Sequence, residues 1–249
     1  NTAICDIFVK KFNMKKVIFL FTLVFIFNSC GSLNEIVNNL PQSSSGVLSQ
    51  ADIGMGLKQA LDQGINKEVS KLMAKDGFYK NELVKIVLPE ELQKVDNGLR
   101  KIGLSGVADE GLKLLNRAAE DATKEALPIF VDAVKGISFN DAKQILLGDQ
   151  RAATTYLENS TQQALYAKFS PIINNKLGEV GATKLWSGAI TKYNALPLTS
   201  DVNPDLTDYV TQKALEGVFK MIAQEETQIR SKVSSRGTDL LQRVFALQD

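Results

Sequence analysis

Histidine is absent from this chain of 249 residues, and cysteine occurs only twice, at Cys5 and Cys30. Without imidazole, the general base of triad hydrolases is missing. Zinc sites built from His and Cys lose most of their ligands as well. The chain carries no G-x-S-x-G, S-x-x-K, H-E-x-x-H, Walker A or EF-hand pattern. No pair of carboxylates stands out as a hydrolytic pair. No catalytic residue, cofactor or metal is therefore expected. Aromatics are scarce and unevenly placed: Phe8, Phe12, Phe19, Phe21, Phe25 and Phe27 all precede Cys30. Beyond Cys30 the core must rest on Leu, Ile, Val and Ala.

The stretch from Met14 to Cys30, MKKVIFLFTLVFIFNSC, reads as a lipoprotein signal peptide. Lys15 and Lys16 give a positive start, and Val17 to Phe27 is an apolar run too short to span a bilayer. Small Ser29 precedes Cys30, the expected site of cleavage and lipidation. Phe27 and Asn28 depart from the usual aliphatic-then-small pattern. Residues 1–13 read as an upstream extension outside the translated protein, and residues 14–29 as the leader. Removing Lys10, Lys11, Lys15, Lys16 and Asp6 turns the formal charge from +1 to −2. No basic excess remains to argue for nucleic acid as a partner. Gly31, rather than Asp, follows the cysteine, which favours the outer membrane, facing the periplasm, over the inner one.

Residues 30–47 are rich in Asn, Ser and Gly and read as a flexible tether. From residue 48 to 249 the pattern is helical throughout, so the expected fold is all-α: a compact multi-helix bundle, one domain after the tether. Ser49 and Asp52 mark the first helix start as a capping-box variant, and Ser138 and Asp141 mark another. Gly56, Ala60 and Gly64 form a small-residue stripe that lets a second helix approach. Pro89 opens a helix with acids in its first turn. One helical face carries Leu112, Leu115, Ala119, Ala122 and Ala126, with a kink or break at Pro128. Gly148 is expected just past a helix end. Pro171 is expected to interrupt the helix that begins at Ala152. Asn203 with Pro204 is expected to cap a long helix, and a final helix is expected from Arg236 to Ala246. The only strand candidate is Lys85-Ile86-Val87-Leu88.

Three polar constellations stand out as ligand-binding candidates. Asn116 lies near an apolar stripe, and Arg117 and Glu120 are spaced to pair along a helix. Asp141 sits near a helix start, with Thr154 and Tyr156 shortly after. Glu225 continues the apolar stripe of Met221 and so needs a cation, Glu226 and Arg230 are four apart, and Arg236 follows. Scaffolding by capping and ion pairs is the simpler account of all three, because buried ion pairs alone are weak evidence of function.

These segments also carry a resemblance. Asn116-Arg117-Ala118-Ala119-Glu120, Asp141-Ala142 with Ile145-Leu146-x-Gly148, Ala152-Ala153-Thr154-x-Tyr156, Tyr209-Val210-Thr211 with Ala214-Leu215-x-Gly217-x-Phe219, Glu225/Glu226 with Ile229-Arg230, and Arg236-x-Thr238-x-Leu240-Leu241 with Val244-Phe245 occur in this order. Together they resemble the bacterial family catalogued as domain of unknown function 4197, from about Leu48 to Leu247. The resemblance implies a helical envelope protein, often with a leader, and brings no catalytic residues with it.

The expected function is a non-enzymatic binding or structural module, held to the membrane by a lipid at Cys30. Its partner would be an envelope protein or a cell-wall component. The alternatives are a carrier that encloses an apolar ligand such as a lipid, and an enzyme built on carboxylates. A cavity of several hundred Å³ would favour the carrier. A cleft in which Glu120, Asp141, Glu225 or Arg236 converge unpaired would favour the enzyme.

Overall fold

The computed structural model describes residues 48–197 and 201–248. The expected leader, Cys30 and the tether lie outside the described residues. Nine α-helices and one short 3-10 turn account for the regular structure found among them, with no strand. They are α1 (Gln50–Met73), α2 (Glu90–Lys101), α3 (Ser105–Thr123), α4 (Ala126–Gly136), α5 (Phe139–Leu147), α6 (Ala152–Glu179), α7 (Ala182–Asn194), α8 (Leu206–Ser231), the turn Val233–Ser235, and α9 (Asp239–Phe245). Residues 48–249 form one compact unit.

Local chemistry sets the starts of α1 and α5 as expected. Ser49 accepts from the Asp52 backbone N–H while the Asp52 carboxylate takes the Ser49 N–H, and Ser138 and Asp141 repeat the arrangement. Each box satisfies two donors that a helix start leaves unpaired.

Three long helices, α1, α6 and α8, make most of the core. Along α6, Ala153, Leu157, Thr161, Leu165, Phe169, Ile173 and Leu177 are all buried and recur every fourth residue. Four residues exceed one helical turn, so this stripe winds around the helix instead of staying on one face. The winding fits the neighbours, because α3, α4, α5 and α8 each pack against α6.

That stripe also explains why Pro171 does not interrupt α6, contrary to expectation. An interior proline costs roughly 3 kcal/mol. Burying Leu157, Leu165, Phe169, Ile173 and Leu177 contributes on the order of 10 kcal/mol, so packing wins. Pro171 is exposed, and so is Ala167, whose carbonyl loses its partner. Water can satisfy that carbonyl.

Other expectations shift by a few residues. Asp205, not Asn203, caps α8, accepting from the Asp208 N–H at 3.0 Å. Asn203 instead donates its side-chain amide to Asp208 at 2.5 Å. The last helix begins at Asp239 after a Thr238 cap, leaving Arg236 outside it. Ala126 opens α4 and does not continue α3, because the break falls at Lys124 and Glu125. Pro128 then lies in the first turn of α4, where its missing N–H costs little. Gly148 is the C-cap of α5 at φ −76°, an ordinary angle. It must be small for another reason: a Cβ there would lie 2.5 Å from that of Ala152.

The small-residue stripe works as expected. A Cβ on Gly56 would meet Val244 Cγ2 at 2.6 Å, and one on Gly64 would touch Glu225 Cγ at 3.4 Å. Gly56 thus admits α9, and Gly64 admits α8. Gly217 on α8 does the same for the 78–84 segment, with Phe78 Cε1 at 2.8 Å and Val84 Cβ at 3.2 Å from its absent Cβ. Gly54 has nothing within 4 Å of that position. Alanine should therefore act with opposite signs at two helical glycines. Gly217→Ala should lower unfolding free energy by about 1–2 kcal/mol through overpacking. Gly54→Ala should raise it by about 0.5–1 kcal/mol through helix propensity. Urea denaturation of both variants tests the pair, and equal signs would contradict the packing.

Candidate functional site

Glu226 and Arg230 lie one turn apart on α8 and are both buried. Their side chains reach in two directions. The Glu226 carboxylate accepts from the Ala153 N–H at 2.9 Å, the Thr154 N–H at 2.8 Å and the Thr154 hydroxyl at 2.7 Å. It is a negative cap on the N-terminus of α6, where the helix dipole favours an anion. Arg230 donates Nε to Glu226 at 2.9 Å and spends its other nitrogens on the carbonyls of Leu146 (3.1 Å) and Ile145 (2.8 Å) at the end of α5. One ion pair therefore closes both sides of the α5–α6 corner. Arg236 extends the cluster. It donates to the Ile229 and Arg230 carbonyls at 3.0 and 2.9 Å. Both guanidinium groups lie within 6.0 Å of the Phe245 ring centre, a distance at which the ring face attracts a cation.

A second cluster joins α3 to the chain between α1 and α2. Glu120 accepts from the backbone N–H groups of Phe78 (3.2 Å) and Tyr79 (3.4 Å) and from Arg117 at 2.5 Å. Arg117 bridges onward to Asp76 at 2.5 Å. Asp76 holds φ at +70°, a conformation that Asp tolerates better than most residues. Buried Asn116 donates to the Ile86 carbonyl and accepts from the Ile86 N–H, both at 2.8 Å. The strand candidate is thus extended chain paired with a side-chain amide rather than with another strand.

The remaining candidates lie elsewhere. Glu225 is held by Lys67 at 2.6 Å, the cation its burial requires. Beside it, Glu68 pairs with Lys71 at 2.6 Å, and its Oε2 is the one buried side-chain polar atom without a partner among the described residues. Asp141 is engaged in its capping box, where hydrogen bonds from Ser138 hold its carboxyl below the usual range. Tyr156 shares a shallow surface groove with Asp141. Burial, with the Asp141 charge nearby, pushes its phenol upward.

The structure thus brings Thr154, Glu226, Arg230 and Arg236 together. It joins Asn116, Arg117 and Glu120 in a separate cluster, and it leaves Glu225, Asp141 and Tyr156 apart. Among the described residues, no group of three or more His, Cys, Asp or Glu could hold a metal.

The model of a family described as "Protein of unknown function (DUF4197)" matches residues 47–246. The chain belongs to this family. No curated protein and no solved structure matches it. The match spans both polar clusters and the helices that carry them, so these clusters sit inside the family domain.

Sequence reasoning missed Asp76, Lys67 and Asn194. The first two complete ion pairs across long stretches of chain, which no local spacing reveals. Asn194 pairs with both backbone groups of Val202, at 2.8 and 3.0 Å, as Asn116 does with Ile86.

Two outcomes follow from this geometry. In a double-mutant cycle on Glu226→Gln and Arg230→Met, each single change should cost about 3–5 kcal/mol. The coupling should exceed about 1 kcal/mol, and additive effects measured by denaturation would contradict the clasp.

The second outcome concerns pH. A hydrogen bond to Asp208, with burial, pushes the Tyr166 phenol up to about 12 from its ordinary 10. Its contribution to stability is therefore full below pH 10 and lost as pH rises through about 12. Burial acts to raise the Asp208 carboxyl, but hydrogen bonds from Tyr166, Gln212 and Asn203 outweigh it and hold the carboxyl low. That contribution is present above the ordinary carboxylate range and lost as pH falls below it. Tyr166→Phe should flatten the alkaline arm of the stability profile.

Proposed function

We propose that this chain is a lipid-anchored module of the bacterial envelope that works by binding, without catalysis of its own. Lipidation at Cys30 would hold the domain to the outer membrane, facing the periplasm. Its partner would be an envelope protein or a cell-wall component. The observation that carries the reading is the commitment of the polar clusters to the fold. Glu120, Asp141, Glu225, Glu226, Arg230 and Arg236 are all engaged with other protein groups. None of them is left to move a proton or attack a substrate. No helix among the described residues is long and apolar enough to cross a membrane.

A second reading is a site for an apolar ligand. The narrow recess between α1, α8 and α9 holds only about 20 Å³, room for about one water molecule. An enclosed carrier cavity has no support there. An open groove of about 400 Å³ between α3 and α7 is different, being lined by Leu88, Val107, Leu112, Leu185, Trp186 and Leu206. Its size and lining suit an acyl chain.

Two measurements separate these readings. Cys30→Ala should release the protein from the membrane fraction, as a soluble or uncleaved form. Mature Cys30→Ala protein still pelleting with membranes would sink the anchor. For the groove, Leu185→Asp should weaken binding of a fluorescent fatty acid at least tenfold, and unchanged binding would remove the second reading.

A further inference from the structure

A groove runs along the outer side of α8 and is walled in part by the chain segment that Asn116 holds. It consists of two adjoining recesses, of about 130 and 570 Å³, which share Leu83, Glu216 and Lys220. The first is walled by segment 83–87 and by Tyr209 and Lys213 of α8. The second continues past Leu83 to Lys220, Gln224 and Thr227, with Arg151 and Glu158 opposite. From Tyr209 to Thr227 the groove follows α8 for roughly 25 Å, the length of about seven or eight extended residues.

The wall of the first recess has an unused hydrogen-bonding edge. Asn116 takes both the N–H and the C=O of Ile86. In extended chain, the backbone groups of residues on either side point the opposite way. The Val87 carbonyl meets the Tyr209 hydroxyl of α8 at 2.7 Å, which places that opposite side on the groove. The Lys85 C=O and the Val87 N–H find no partner in the described protein. A carbonyl and an N–H two residues apart are what one residue of a parallel strand engages: its N–H bonds to the first, and its C=O accepts from the second.

The charges in the groove are unbalanced. Lys213 and Glu216 neutralise each other at 2.8 Å. Lys85 lies 5.0 Å from the Tyr79 ring centre and makes no ion pair within the described residues. Lys220 and Arg151 make no ion pair within the described residues. Among the residues lining the two recesses, Glu158 is the one acid left against these three cations. Leu83 and Val87, 48% and 45% exposed, supply apolar contact on the wall.

We infer that this groove binds an extended acidic peptide segment of a partner protein. The segment adds to Lys85–Val87 by parallel backbone pairing and sets its carboxylates against Lys220 and Arg151. Parallel pairing fixes the polarity. Lys220 and Arg151 lie at the Leu83 end, so the acidic residues precede the backbone-paired residue in the peptide. Strand addition supplies affinity, and the cations supply selectivity. This deepens the binding reading by naming the ligand class. It does not depend on the anchor, since its test uses no membrane.

The test is fluorescence anisotropy on the full chain in detergent. The probes are a labelled, end-blocked Glu-Glu-Leu-Glu-Val-Thr-Val peptide and its counterpart with Lys for each Glu. The acidic probe should bind saturably, and more weakly as salt rises. Arg151→Glu with Lys220→Glu should weaken it at least tenfold and should admit the lysine probe, which the original chain refuses. A third probe, N-methylated on its central residues, should lose at least tenfold on the original chain. No saturable binding of the acidic probe, equal binding of both charged probes, or unchanged affinity in the variant would each overturn the proposal. If the double variant does not fold, the N-methylated probe decides alone, and binding equal to that of the parent peptide overturns it.

Discussion

The Glu226–Arg230 pair is the contact on which the arrangement of the long helices depends. Two helix ends meet at the α5–α6 corner, and each leaves backbone groups without intrahelical partners. The carboxylate satisfies the donors of one end and the guanidinium satisfies the acceptors of the other. Because both side chains belong to α8, the corner is tied to the helix that packs most closely against α6. Burying two charges is expensive unless their hydrogen-bonding capacity is used. Here nearly all of it is, and the cost is offset by groups that would otherwise be buried and unpaired.

The same logic recurs at smaller scale. Asn116 and Asn194 each bond both backbone groups of one residue, Ile86 and Val202. A side-chain amide presents a donor and an acceptor side by side, as the N–H and C=O of one strand residue are. It can therefore stand in for a neighbouring strand where an all-helical fold has none. Glu120 does a related job, taking the N–H groups of Phe78 and Tyr79 at the turn after α1. The polar residues that look most like a site in one dimension are thus engaged with helix ends and with irregular chain. The two open grooves lie at the surface instead, one apolar and one lined by cations.

Legibility followed the range of the physics. Ser49, Asp52, Ser138 and Asp141 act within three residues, and their capping boxes are visible by inspection. The pairing of Glu226 with Arg230 is also local, at i and i+4, but its purpose is not, since Thr154 and Ile145 lie more than seventy residues away. Pro171 misleads because proline's local penalty is smaller than the burial of the residues around it. Asn203 misleads because Asp205, two residues on, makes the cap while Asn203 supports Asp208.

By itself, the sequence determined that the domain is helical, where two of its helices begin, and that residues 31–249 carry neither His nor Cys. It also carried the family relationship through ordered motifs. Those properties arise from composition and from contacts a few residues long. Only the tertiary structure decided that the polar motifs are braces, that Lys67 answers Glu225, and that an edge of backbone at Lys85–Val87 is left unpaired. Each of these depends on which distant surfaces meet. That is set by how the windings of α1, α6 and α8 pack together, a property of volumes in space that no local spacing encodes.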